Sequence, residues 1–313
     1  MKGTGWAVIG RHAAAIIAPL LMIGFAGCSD APGKPAVERP APSPLLYEIA
    51  SADGTIEGWM LGTIHALPDG IDWRTPVIAR VADTADLLVV EVGELKGRDE
   101  GPSIYLSLAQ SPGHPPLAER VPADQKQALA ALIARGGLDA DEFRVTETWA
   151  AALMLARIDA PGKTDNGVDA ALIEEFSGER PVRELEGLRG QLSIFDRLPE
   201  PQQRGMLAGV VRESARADKD PEHLLRAWLA GDAAAIEAST REGFLADPSL
   251  REALLAGRNR RWATALGPIL REGPRPLIAV GTAHLVGPDG LAMLLEAQGY
   301  RVSPIPTHAV PKP

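Results

Sequence analysis

Two distant stretches of the chain are written in nearly the same letters, and they constrain its fold more than any other feature. MLGTIHALPDG covers residues 60–70, and AVGTAHLVGPDG covers residues 279–290. Each one indicates an apolar strand followed by Gly-Thr-X-His and a turn. A lone histidine near a strand end is usually structural, but two copies at opposite ends of the chain predict one sheet that brings His65 and His284 together.

The arrangement of apolar runs indicates strands at both ends of the chain and helices between them. Strand patterns cover residues 45–51, 56–64, 86–93, 180–187, 276–284 and 301–305. Helical patterns cover residues 75–85, 122–160, 168–176, 188–272 and 288–300. For the core to close, the terminal strands must share a sheet. The sequence therefore predicts an α/β fold of α+β-like character, with a central mixed sheet and a long helical middle segment packed around it.

The first 44 residues resemble a targeting region rather than part of the domain. Lys2 and Arg11 precede an apolar run over residues 13–26. This run is too short for a membrane span and is typical of a secretory signal. Residues 1–27 are therefore expected to be cleaved. Phe-Ala-Gly-Cys then resembles a lipobox, which predicts lipidation of Cys28; an ordinary signal peptide is the alternative. Residues 28–44 form a Pro-rich linker, and residues 45–313 form one domain.

Charge and cysteine content exclude several classes of function. The formal net charge of −9 becomes −11 once Lys2 and Arg11 leave with the signal, which argues against a nucleic-acid partner. The single cysteine is the one that would be acylated, so the mature domain has no cysteine nucleophile. Ser29 after the acylated cysteine favours the outer membrane of a bacterial envelope. The Walker, Gly-X-Ser-X-Gly and His-Glu-X-X-His motifs are missing from the sequence.

The two histidine motifs and a nearby carboxylate suggest a metal site. Glu91 interrupts an apolar strand, where a carboxylate is costly unless a cation or hydrogen-bond donors compensate it. Two histidines with one carboxylate form a known ligand set for Zn²⁺ or Mn²⁺. Gly62 and Gly281 are expected to allow sharp turns of the backbone and the close approach of a ligand. The alternative is that the histidines are structural and that Glu91 pairs with an arginine.

Three further polar residues are candidates for catalysis. Arg258 interrupts the inward face of a helix, where it would stabilise developing negative charge or form a salt bridge to Glu91 or Glu186. Asn259 would help it to orient a substrate. Glu186, at a strand end, would be a metal ligand, a general base or a partner of Arg258.

The remaining polar candidates receive structural roles or none. Asp169 and Asn166 are expected to cap the following helix. No role is assigned to the other histidines, which are His12, His114, His223 and His308.

Residues 45–305 resemble the TraB/GumN family, which includes pheromone-shutdown proteins and the Tiki proteases that cleave Wnt. The resemblance is carried by both Gly-X-X-His motifs, Glu91, NGVD at residues 166–169, LEG at 185–187 followed by Gln191, RNRRW at 258–262, and the segment from 283 to Tyr300. It implies an α/β domain in which both histidines and the acidic residue form one site. The Tiki branch implies a metal-dependent peptidase.

These observations lead to one principal hypothesis and two alternatives. The principal one is an envelope-tethered, metal-dependent hydrolase of peptide or amide bonds, whose nucleophile is water activated by the metal. The first alternative is a lipoprotein that binds a peptide or small ligand in the same pocket without chemistry. The second is a structural lipoprotein with a vestigial histidine pair. The oligomeric state is left open by the sequence.

Overall fold

Six strands form one mixed sheet in the computed structural model, which describes residues 39–93, 100–216, 220 and 222–307. The predicted signal peptide, Cys28, part of the linker, His12 and His308 lie outside these residues. The strands are β1 (Leu46–Ala50), β2 (Ile56–Thr63), β3 (Leu87–Val90), β4 (Val182–Glu184), β5 (Pro276–Gly281) and β6 (Arg301–Pro304). Their order in the sheet is β4-β3-β5-β2-β1-β6. The predicted fold class is confirmed.

Twelve α-helices accompany the sheet in this part of the chain, most of them in the predicted middle segment. They are α1 (Pro76–Thr84), α2 (Glu100–Ala109), α3 (Lys126–Arg135), α4 (Thr148–Ile158), α5 (Val168–Phe176), α6 (Gly187–Asp196), α7 (Glu200–Ser214), α8 (His223–Ala230), α9 (Ala233–Ser239), α10 (Pro248–Arg251), α11 (Gly257–Arg271) and α12 (Leu291–Ala297). A π-helical turn, Glu252–Ala256, joins α10 to α11. None of the described helices has the length and apolar character needed to span a membrane.

The strands β3 and β5 have no polar side chain because helices cover both faces of the sheet. In β5, Leu277 packs into one cluster with α1, α5 and α8, whereas Ile278 packs into another with α11 and α12. Successive side chains of a strand point to opposite faces, so a strand between two helical layers needs apolar residues at every position. A third cluster lies within the helical middle segment, around Trp149 and Phe195.

Both ends of the described chain meet at one edge of the sheet. Residues 43 and 44 belong to the predicted linker, but the backbone N–H of Ser43 donates to the carbonyl of Leu229. The hydroxyl of Thr307 lies 3.0 Å from that of Ser43 and donates to the carbonyl of Pro44. The chain therefore enters and leaves the domain side by side.

Candidate active site

The pairing of β2 with β5 brings the two repeated motifs together. The strands are parallel neighbours, and Thr63 pairs with Gly281. Both Gly-Thr-X-His segments therefore lie at the carboxyl edge of the sheet, as the sequence predicts. His65 follows β2 directly, and His284 ends a short 3-10 turn after β5. Ligand sites in open α/β sheets commonly lie at this edge.

The two motif glycines are required for close packing and not for unusual backbone angles. Gly281 has φ −48°, and Gly62 is absent from the glycines with positive φ, so the predicted conformational role is wrong. A Cβ on Gly62 would lie 2.5 Å from Oγ1 of Thr282. A Cβ on Gly281 would lie 3.2 Å from Oε1 of Glu91. Glycine therefore lets the second motif approach the first strand and leaves room within the site.

His65 forms a buried pair with Asp169. Its Nδ1 lies 2.7 Å from Oδ2 of Asp169, and the hydroxyl of Thr63 donates to the other carboxylate oxygen at 2.6 Å. These contacts fix the orientation of the imidazole ring. Its Nε2 is buried and has no hydrogen-bond partner in the structure.

The NGVD segment is built around the first histidine turn. The backbone N–H of Val168 donates to the carbonyl of Ile64, and a Cβ on Gly167 would lie 2.5 Å from the carbonyl oxygen of His65. The predicted capping roles are wrong. Helix α5 begins after Gly167 without a side-chain cap, since Asp169 faces His65 and Asn166 instead binds the loop at residues 67–69.

His284 is oriented by Asn259 in a similar way. Its Nδ1 contacts Oδ1 of Asn259, whose amide nitrogen donates to the carbonyl of Asp289 at 2.7 Å. The ring packs against Trp262, with 4.3 Å between the ring centroids. Because both ends of the Asn259 amide bind protein groups, this residue supports His284 and does not face a substrate, contrary to the role considered from the sequence.

Glu91 leaves the sheet at the end of β3, so the prediction that it lies within the strand is wrong by one residue. Its Oε1 accepts the backbone N–H of Gly281 at 2.8 Å. Its Oε2 accepts from Gln191 at 3.0 Å and from Arg258 at 2.7 Å. Glu91 is only 3% exposed, and its carboxylate is held by three donors, of which Arg258 also forms a salt bridge, so the arginine partner considered as its alternative is present.

Arg258 bridges two buried carboxylates. Its Nε and Nη2 bind Glu186 at 2.7–3.1 Å, and Nη2 also binds Glu91. Its Nη1 contacts the carbonyl of Leu254 and Nε2 of His284, both at 3.3 Å. Every N–H of the guanidinium therefore has a protein acceptor. Both salt bridges that the sequence proposed as alternatives are present, and Glu186 contacts Arg258 through both oxygens.

The π-helical turn, Glu252–Ala256, ends two positions before Arg258. Such turns are rare and recur at functional sites. Here the turn precedes two consecutive residues, Arg258 and Asn259, which are 1% and 0% exposed. Two adjacent helical positions thus serve the same site.

The three predicted metal ligands surround one small space beside Gly281. A Cβ built there would lie 3.7 Å from Cδ2 of His284 and 3.9 Å from Nε2 of His65, besides its approach to Glu91. Nε2 of His284 lies 4.0 Å from Oε1 of Glu91. Gly281 therefore keeps open a cradle that a methyl group would fill.

Negative charge dominates this buried site. Glu91 and Glu186 bind one buried guanidinium, that of Arg258, and Asp169 binds His65, while Arg261 approaches Glu186 at 3.9 Å from the surface. With both imidazoles neutral, three carboxylates against one buried cation leave two negative charges, and a proton on His65 offsets one of them. Burial lowers the pKa of Arg258, but Glu91 and Glu186 outweigh this and raise it. The site therefore favours an additional cation.

The two histidines titrate in opposite directions. Burial disfavours the charged form of His65, but the charge and hydrogen bond of Asp169 outweigh this and raise the pKa of His65 to about 9. Burial, Arg258 and His65 lower the pKa of His284 well below its usual value. In the metal-free protein at neutral pH, His65 is protonated and His284 is neutral.

The raised pKa of His65 predicts how the stability of the metal-free protein depends on pH. A group whose pKa is higher in the folded state stabilises the fold below its unfolded pKa of 6.5, and this is lost as pH rises through about 9. The loss corresponds to about 3 kcal/mol. Urea unfolding in chelator at pH 6.5 and pH 9 measures it. An Asp169→Asn variant should lose much less unfolding free energy over the same pH interval. An equal loss in both proteins would contradict the view that Asp169 raises the pKa of His65.

Residues 45–304 match the model of the TraB/PrgY/gumN family. The chain belongs to this family. No curated protein and no solved structure matches the chain. The TraB/PrgY/gumN match spans every site residue described above, so the site is part of the family domain and not of an appended segment.

Sequence reasoning missed the part played by Asp169. Its position in NGVD carried a family signal, but helix-start chemistry explained it equally well, and only the approach of α5 to the first turn shows the pairing with His65. Of the histidines to which the sequence assigned no role, His114 binds Ser111, and His223 binds the carbonyl of Asp220.

Proposed function

We propose that this protein is a metal-dependent hydrolase that acts on a peptide or amide bond. The observation that carries the proposal is the meeting of Nε2 of His65, Nε2 of His284 and Oε1 of Glu91 around the cradle at Gly281. Nε2 of His65 is buried without a partner, which is costly unless a ligand satisfies it. Zn²⁺ and Mn²⁺ suit two imidazoles and a carboxylate.

The supporting contacts fit a metal site as well as the donors do. Metal-binding histidines usually donate their other ring nitrogen to a carboxylate or another oxygen, which leaves one lone pair for the metal. Asp169 is the acceptor for Nδ1 of His65, and Asn259 is the acceptor for Nδ1 of His284. Among the described residues, no three acidic, histidine or cysteine side chains are already spaced as ligands of a bound metal. The guanidinium of Arg258 lies among these donors and contacts both Glu91 and His284.

In this proposal, the chain positions a metal and a scissile bond beside the cradle at Gly281. A bound divalent ion would supply a Lewis acid that activates water and polarises a carbonyl. His65, His284 and Glu91 would hold it, while Asp169 and Asn259 orient the two rings. Both oxygens of Glu186 bind Arg258, so we assign it the positioning of that residue instead of the role of base.

Metal content is the first test. We expect about one Zn²⁺ or Mn²⁺ per chain in the untagged protein, and none in a variant with His65→Ala and His284→Ala. A His114→Ala variant is the matched control, because His114 contacts Ser111 and Glu147 outside the site. Circular dichroism checks the fold of each variant. Full metal stoichiometry in the double variant would exclude these ligands.

The same proteins then test for hydrolysis. Incubation with a synthetic peptide library should give cleavage products by mass spectrometry, which disappear with chelator and return with Zn²⁺ or Mn²⁺. The variant with His65→Ala and His284→Ala should give no cleavage products.

Binding without chemistry is a second candidate, and one contact favours it. Arg258 already neutralises Glu91 at 2.7 Å, so the carboxylate needs no metal to be buried. A metal-free protein that retains a peptide from the library without cleaving it would support this function. A protein that cleaves peptides only with metal would exclude it.

We also propose that Cys28 anchors the protein by a lipid on the periplasmic side of a bacterial envelope, with the outer membrane favoured by Ser29. The support is the lipobox-like sequence alone, which lies outside the described residues. Fatty-acid labelling of the expressed protein should be lost on Cys28→Ser. Labelling that persists in this variant would exclude the anchor.

A further inference from the structure

We propose that the guanidinium of Arg258 occupies the place of a cation beside His284 and Glu91 in the metal-free site, and that a divalent metal binds only by displacing it from these two residues. This rests on the proposed function. Arg258 would thereby set the metal affinity of the site, while its salt bridge with Glu186 remains.

The first argument concerns the lone pair of His284. Its Nδ1 donates to Oδ1 of Asn259, which leaves the only in-plane lone pair of the ring on Nε2. Nη1 of Arg258 lies 3.3 Å from that nitrogen and directs an N–H to it. One lone pair cannot accept this N–H and ligate a metal. The Nη1 contact must therefore break when a metal binds His284.

The second argument concerns charge. Nη2 of Arg258 lies 2.7 Å from Oε2 of Glu91, and the guanidinium is 1% exposed. A second cation on the same carboxylate would be repelled by the first at short range, and little solvent is present to screen the repulsion. The exchange of one cation for the other preserves the neutralisation of Glu91.

The third argument is that the displaced guanidinium has a place to remain. Glu186 binds it through Nε and Nη2, and the ring of Trp262 lies 4.6 Å from its central carbon. The contacts to Glu186 use Nε and Nη2, whereas the contact to His284 uses Nη1. Arg258 can therefore release Glu91 and stay buried and paired. Released N–H groups would then face the pocket, where a substrate carbonyl develops negative charge.

The test is a calorimetric titration of Zn²⁺ and Mn²⁺ into three metal-free proteins at one pH. Arg258→Gln keeps hydrogen-bond donors but removes the charge, and we expect it to bind metal at least about tenfold more tightly than the parent. Arg261→Gln is the matched control. Its side chain is 60% exposed and approaches the same Glu186 at 3.9 Å, so its affinity should stay within about twofold of the parent.

The outcomes separate this inference from the proposed function. If the parent binds metal and Arg258→Gln binds no more tightly, displacement is wrong and the metal site stands. If only Arg258→Gln binds metal, Arg258 occupies the metal position and blocks the parent site, so the inference holds while the proposed function fails. If neither protein binds metal, the proposed function fails, and the inference fails with it.

A second measurement covers the case in which Arg258→Gln does not fold. Crystal structures of the parent with and without metal should show the Arg258 contact to Glu91 lost on metal binding and the contact to Glu186 kept. A metal on His284 with both the 2.7 Å and the 3.3 Å contacts of Arg258 unchanged would overturn the inference.

Discussion

Arg258→Ala should lower the free energy of unfolding of the metal-free protein by about 3–5 kcal/mol, because it leaves two buried carboxylates without their shared cation. Glu91 and Glu186 have side-chain exposures of only 4% and 8%, so water cannot replace the guanidinium freely. Urea unfolding in the presence of chelator measures the change. Added Zn²⁺ or Mn²⁺ should restore part of the stability if a metal takes the vacated position.

The neighbouring arginine provides the control. Arg261 lies in the same helix and approaches the same Glu186, but at 3.9 Å and with 60% of its side chain exposed. Arg261→Ala should change the unfolding free energy by about 0.5 kcal/mol or less. Similar losses in both variants would show that burial of the ion pair is not what makes Arg258 important.

Gly167→Ala should disrupt the site without touching a polar side chain. A Cβ at this position would lie 2.5 Å from the carbonyl oxygen of His65 and 2.9 Å from its carbonyl carbon. Both are backbone atoms, so no rotamer change relieves the contact, and the cost should be about 1–3 kcal/mol. The NGVD segment must move away from the first turn, which separates Asp169 from His65. We therefore expect lower stability and weaker metal binding together.

Gly205→Ala is the matched substitution. Gly205 lies inside α7, and a Cβ there would have no neighbour within 4 Å. Alanine should stabilise this helix by about 0.5–1 kcal/mol. Thermal unfolding of both variants, with metal titration, tests the pair. A Gly167→Ala variant as stable as the parent would show that the segment can shift without cost.

The placement of the site could be predicted because it depends on strand order and not on side-chain detail. Two similar motifs after apolar runs need only parallel neighbouring strands to meet, and β2 and β5 are such neighbours. The flanking patterns predicted α5 to its exact limits, Val168–Phe176, because a periodic apolar face records burial directly. Glu91 was identifiable because a carboxylate is conspicuous among Leu87–Val90.

The remaining features depend on tertiary contacts that no local pattern records. The pairing of Asp169 with His65 joins residues 104 positions apart. Gly62 and Gly281 have ordinary backbone angles, so their importance comes from side chains of other segments, Thr282 beside Gly62 and Glu91 beside Gly281. The π-helical turn before Arg258 is made of ordinary helix-forming residues, and its extra residue is visible only in the hydrogen bonds.

Both ends of the described chain lie at the same end of the sheet as His65, which bears on how the domain would be held by an attached segment. β1 begins and β6 finishes at the edge where β2 delivers His65, and the N–H of Gly62 donates to the carbonyl of Leu45. Two strand spacings, about 10 Å, separate β2 from β6. If the protein is anchored through the segment ahead of Arg39, as proposed, the end of the sheet that carries His65 would face the anchor. A bulky fusion at either terminus would then crowd that end of the sheet.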